Sequence, residues 1–182
     1  MSDTQKTVNP GPLGLIGFGM TTILLCLSYV GVIRDDGLSM ILAMAIAIGG
    51  GAQFVSGITG LKIGDTFGGT VFTSYGLFYW SLCIILIKFG GASETAMGLY
   101  LLIWGIYTLF NFIAVLKADT ASKIVFFTLA ALFFLLSINA FTGSEIVLKI
   151  AGVVGIFSGA TGLYAAMAQM VNAVHGKKTL PI

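Results

Sequence analysis

A chain of 182 residues that is 57% hydrophobic and 9% charged, with a mean hydropathy of +1.02, excludes a soluble domain, since such a domain carries roughly 25% charged residues. The net charge of +2 gives no reason to expect a nucleic acid partner. Cys26 and Cys83 both sit inside apolar runs and are expected as unlinked buried thiols. What remains is an integral membrane protein in contact with the lipid bilayer.

A helical span needs about 20 mostly apolar residues, and six stretches meet that length: 13–33, 38–61, 67–87, 96–116, 124–141 and 146–171. None alternates apolar and polar residues as a barrel strand does. The expected fold is therefore all-α, a six-transmembrane-helix bundle forming a single transmembrane domain over residues 1–182. The first run is too long for a signal-peptide core and no small-residue cleavage site follows it, so it is expected as a retained span.

That first run opens on Asn9–Phe18, NPGPLGLIGF. Asn9 suits an N-cap and Pro10 the first helical position. Pro12 still falls in the first turn, where its missing N–H has no helical partner to lose. The free N–H groups of such an end attract anions. The segment is thus either a plain start signal or a docking point for a carboxylate. In the second run, Gly49, Gly50 and Gly51 mark a place where a helix can bend or break, which is tolerated only inside protein or beside a water-filled path. Gly60, Gly64 and Gly68, and again Gly155 and Gly159, recur at a spacing that lets helix backbones approach closely, in a bundle or an oligomer.

The charges fall between the runs. Lys6, Lys62, Lys117, Lys123, Lys177 and Lys178 share the side of both termini, while Arg34, Lys88 and Lys149 lie opposite. Basic residues concentrate in cytoplasmic loops, so both termini are expected in the cytoplasm. No ionisable residue sits in the middle of a span, and the single histidine, His175, is in the tail. Metal, haem, cofactors and hydrolytic triads are not expected, nor is an enzyme. The spans hold neutral polar groups instead: Thr21, Thr22, Ser28, Gln53, Ser56, Thr73, Ser74, Asn111, Thr128, Asn139, Ser158 and Thr161. Singly these glue helices together or bond back to their own helix. As a set, neutral donors can bind a small anion without trapping it.

Several stretches resemble the acetate uptake transporter family, also called the succinate–acetate permease family. They are NPGPLGL with GFGMTTILL after it, TFGGTVFTSYG (66–76), the Trp104–Gly105 region ending in TLF, VFFTL (125–129), SGATGLY (158–164) and the tail TLPI, in the family's order. The resemblance spans nearly the whole chain. It implies a six-helix protomer assembled as a homo-hexamer in the inner, or cytoplasmic, membrane, each protomer with its own path for acetate and related short carboxylates such as succinate or lactate. It also implies a hydrophobic pore constriction of Phe18, Tyr75 and Leu129. Candidates along the path are Asn9, Thr21, Thr22, Thr73, Ser74, Thr128, Thr161 and Gly162. Gly11 and Gly162 stand where alanine is expected. If Gly162 borders the path, it leaves more room there, so the preferred carboxylate is open.

Two other readings stand beside this one. A pore for water, ammonia, urea or formate would pass uncharged or still smaller solutes. A small multispan protein that senses acetate or ammonia would bind its ligand without flux.

Overall fold

The computed structural model describes residues 8–182, so Lys6 lies outside the described residues. The described chain contains six helices long and apolar enough to cross a membrane. They are α1 (Gly11–Tyr29), α2 (Leu38–Lys62), α3 (Thr66–Phe89), α4 (Glu94–Ala114), α5 (Thr120–Thr142) and α6 (Glu145–His175). An even number of crossings puts the start of α1 and the end of α6 on one side. The protein is a multi-pass membrane protein.

The helix borders follow local chemistry. Asp65, Ser93, Asp119 and Ser144 cap α3 to α6 by accepting the backbone N–H groups of Gly68, Ala96, Ser122 and Val147. Gly90 ends α3 with a left-handed φ of 68°, which a side chain would oppose. The first span stops at Tyr29, short of residue 33, because the Val32 and Ile33 N–H groups both fold back onto the Leu27 carbonyl.

The start of α1 differs from expectation. Pro10, not Asn9, occupies the cap position, with φ −77° and ψ −13°, and the first helical residue is Gly11. Asn9 acts from one position earlier: its Oδ1 accepts the Gly11 N–H at 3.0 Å. The Leu13 and Gly14 N–H groups both reach the Pro10 carbonyl, at 3.1 and 3.3 Å, and Pro12 has none to offer. The helix end therefore consumes its own donors, and the anion-attracting N–H groups expected there are not free.

The glycine triplet does not break its helix. Residues Ala45–Ala52 widen into a π-helical segment and α2 continues from Gln53. The widened turn lets neighbours press against bare backbone. A Cβ on Gly76 of α3 would stand 2.8 Å from the Gly50 carbonyl oxygen, and one on Gly50 would meet the Trp80 indole. Helix α1 meets α6 in the same way: Cβ atoms on Gly19 and Gly159 would lie 2.7 and 2.9 Å from each other's carbonyl oxygens. In a bilayer, association rests on such close packing rather than on hydrophobic exclusion. The outer surface is apolar, with Ile103, Phe110 and Phe127 all exposed, as lipid or a neighbouring chain requires.

Candidate functional site

Two cavities enter the bundle from opposite sides. The larger, about 420 Å³, opens on the side away from the termini, between Leu38, Ala92, Glu94 and Leu148. The smaller, about 200 Å³, opens on the side of the termini, between Gly11, Asp65, Ser122 and Gln169. Only three residues belong to both walls: Phe18, Tyr75 and Leu129. They come from α1, α3 and α5, and each is buried, at 5%, 4% and 5% exposure. The three residues that the resemblance groups together thus lie at the boundary shared by the two cavities, called the neck below.

Phe18 and Tyr75 are both held by neighbouring helices. Phe18 lies against Gly162 of α6, where a Cβ would stand 2.8 Å from Cδ1 of the ring. Tyr75 packs among Trp104, Tyr107 and Phe133, with ring centroids 5.7 to 6.5 Å apart. Its hydroxyl is fully committed. Thr108 Oγ1 donates to the Trp104 carbonyl at 2.7 Å, so across the 2.8 Å contact Tyr75 is the donor and Thr108 the acceptor. Asn111 Nδ2 donates to the same tyrosine oxygen at 3.4 Å. The neck therefore shows a solute aromatic rings and methyl groups, with no hydroxyl proton to spare.

Donors stand outside the neck. Thr22 and Tyr79 line the larger cavity and their oxygens are 2.8 Å apart. Two hydroxyls share that single bond, so one proton of the pair is left over whichever group donates.

The other path candidates scatter. Thr22 is the one of the eight that lines a cavity, and Gly162 touches the neck from behind. Asn9 is exposed at the termini-side entrance, tied to Gln169. Thr128 and Thr161 donate to the Ile124 and Phe157 carbonyls of their own helices. Thr21 and Thr73 are shut into helix seams beside Gly49 and Gly57, with no partner for their hydroxyls among the described residues. Ser74 lines neither cavity. The Thr128 and Thr161 hydroxyls serve their own helices, as Ser/Thr back-bonding does in apolar surroundings.

Sequence reasoning passed over Thr108 and Gln169, and named Asn111 and Gln53 without assigning them as path residues. A signal existed. Trp104, Thr108 and Asn111 lie three and four apart on one face of α4, and Gly162, Ala165 and Gln169 do so on α6.

An all-helical membrane protein whose two opposed cavities meet at a buried aromatic neck has the architecture of a small-solute channel or transporter. The chain belongs to the GPR1/FUN34/yaaH family, whose model matches residues 1–181. It is 45% identical over 182 residues to the succinate-acetate/proton symporter SatP of Escherichia coli, covering 97% of this chain and 96% of that one. It is also similar to the solved structure of the bacterial acetate channel SatP, with a TM-score of 0.92 and 45% identity over 97% of this chain and 99% of that chain. A more distant relative is ammonia transport outward protein 2 of Saccharomyces cerevisiae. It is 34% identical over 177 residues, which are 90% of this chain and 62% of that protein.

Proposed function

We propose that the chain carries short carboxylates, acetate foremost, across the membrane through the two cavities and the Phe18–Tyr75–Leu129 neck. It is a transport protein, not an enzyme. The observation that carries the reading is that these three residues alone are common to both cavity walls. A narrow apolar collar restricts hydrated ions by dewetting, and neutral donors beside it accept a carboxylate without holding it. Acetate suits both parts, a methyl group for the collar and a carboxylate for the donors. Ammonia and water have no apolar part that such a collar would serve. The names of SatP, a 45% identical relative, support the same substrate class.

Within this reading the protomer works in a homo-hexamer in the inner membrane, each protomer with its own path, and both termini lie in the cytoplasm. The excess of Lys62, Lys117, Lys123, Lys177 and Lys178 on the side of the termini supports that orientation. The neck carries no Asp, Glu, Lys, Arg or His to relay a proton, which favours passive transport along the acetate gradient and the membrane potential over coupling to protons. The test is labelled-acetate uptake into proteoliposomes holding only this protein, under an imposed potential or an imposed pH gradient. Uptake that follows the potential is expected. Uphill accumulation driven by the pH gradient would overturn the passive reading, and absence of acetate flux under both would overturn the function.

A further inference from the structure

Among the described residues, the cavity on the side of the termini holds one side chain with both amide donors unspent. Gln169 lies on α6, two turns beyond Gly162, and lines this cavity together with Ala165. Its amide orientation is dictated by a short relay. A backbone N–H can only donate, so Asn9 must turn its Oδ1 to the Gly11 N–H, 3.0 Å away. The other end of the Asn9 amide is then Nδ2, which can only donate, so the Gln169 atom it meets at 3.2 Å is Oε1. Gln169 is left with Nε2 and its two N–H bonds, and these have no partner among the described residues.

No other polar group on this wall offers a comparable donor. The Ser122 hydroxyl donates to Asp119 at 2.7 Å, and Gln53, fully buried, gives one of its two Nε2 N–H bonds to the Gly49 carbonyl at 2.9 Å. Asp65 only accepts, and takes the Gly68 N–H at 2.9 Å. The Tyr75 proton is committed to Thr108, and the first N–H groups of α1 are consumed within the turn.

We propose that the Gln169 amide is a carboxylate-binding group of the termini-side cavity and that Asn9 is its positioning residue; this rests on the carboxylate-transport reading above. The asparagine of the NPGP turn then has two tasks joined in one side chain. One end of its amide starts α1, and the other aims the Gln169 donors at the solute. A neutral amide gives a carboxylate two N–H contacts without the strong hold of a lysine or arginine, which suits a site that must release its ligand.

The experiment is initial acetate flux against concentration in proteoliposomes of known orientation, measured for entry from each side. Gln169→Met keeps length and neutrality but removes both donors. Gln169→Glu keeps an oxygen for Asn9 Nδ2 and points an acceptor at the cavity. Asn9→Asp offers only oxygens to α6, so Gln169 must turn its Nε2 away from the solute. Each is expected to raise the half-saturating acetate concentration for entry from the termini side by about tenfold, the value of one charge-assisted hydrogen bond. Half-saturation from the opposite side stays near native, and maximal flux from the termini side rises in step with half-saturation, because a passive path without an imposed gradient keeps one ratio of maximal flux to half-saturation in both directions. Asn9→Asp combined with Gln169→Met shifts no further than Gln169→Met alone, because both act through one group. Native half-saturation in Gln169→Met, or shifts that multiply in the double variant, would overturn the proposal while leaving carboxylate transport intact. A native chain that passes no acetate overturns the transport reading and this proposal with it.

Discussion

Gly162→Ala tests the neck most directly, because the new methyl group would touch Phe18 and nothing else closely. The added Cβ would stand 2.8 and 2.9 Å from Cδ1 and Cε1 of the Phe18 ring, while its distance to Val125 Cγ2, 3.8 Å, is an ordinary contact. Carbon atoms pack at about 3.5–4.0 Å, so the ring must retreat by roughly 0.7–1.2 Å. Phe18 lines both cavities and Gly162 neither, so a ring pushed away from Gly162 is expected to move into the neck and narrow it. Overpacking of this kind costs about 1–3 kcal/mol. At the lower end, carried into the conducting state, it slows acetate flux by about fivefold. Longer carboxylates such as butyrate lose more, because the width removed matters more to them. The assay pairs initial flux of acetate and butyrate with thermal unfolding in the same detergent. Acetate flux at or above the native rate would refute the argument, whether or not the melting temperature falls.

Removing neck volume should act the other way: Phe18→Ala and Leu129→Ala raise flux or relax size selection, read from the ratio of butyrate to acetate uptake. Tyr75→Phe deletes a hydroxyl that faces Thr108 and Asn111 rather than the solute. It should therefore cost about 1–3 kcal/mol in stability through an unpaired buried amide, lowering the melting temperature while acetate still passes. Gly76→Ala puts a Cβ 2.8 Å from the Gly50 carbonyl and from the Phe54 nitrogen, both backbone atoms that cannot rotate aside. It should lower the melting temperature more than Gly162→Ala does, where a side chain can yield.

The helices were legible because a bilayer leaves a long apolar run one way to satisfy its backbone. All six lie on the stretches read from hydropathy, and the misjudged end of the first, at Tyr29, was set by Leu27 accepting two N–H groups, which no hydropathy window records. The neck was legible only through resemblance. Phe18 and Leu129 are apolar residues on apolar helices, and nothing in their own spacing separates them from core. The polar wall was misread for a physical reason. A threonine in a span finds its acceptor one turn back along its own helix, as Thr128 and Thr161 do, so composition overstates the donors open to a solute. The residues that do offer protons, Tyr79 with Thr22 and Gln169 with Asn9, are defined by partners on other helices, far apart in the chain.

The arrangement of protons explains how so uncharged a path can favour a carboxylate. At the neck, the Tyr75 proton goes to Thr108 and the Thr108 proton to the Trp104 carbonyl, so a solute there meets rings and methyl groups. On the far side, the Thr22–Tyr79 pair always has one proton left over, and on the termini side Gln169 has two. Donors therefore flank the constriction and are missing from it. A small hydrated ion loses water at such a neck and gains nothing in exchange, which is the cost that dewetting imposes. A short carboxylate loses less, because its methyl end has no hydration to give up. Selectivity then lies in the match between an amphiphilic solute and an apolar gap bounded by donors, and the scarcity of charge along the path is what lets the solute leave.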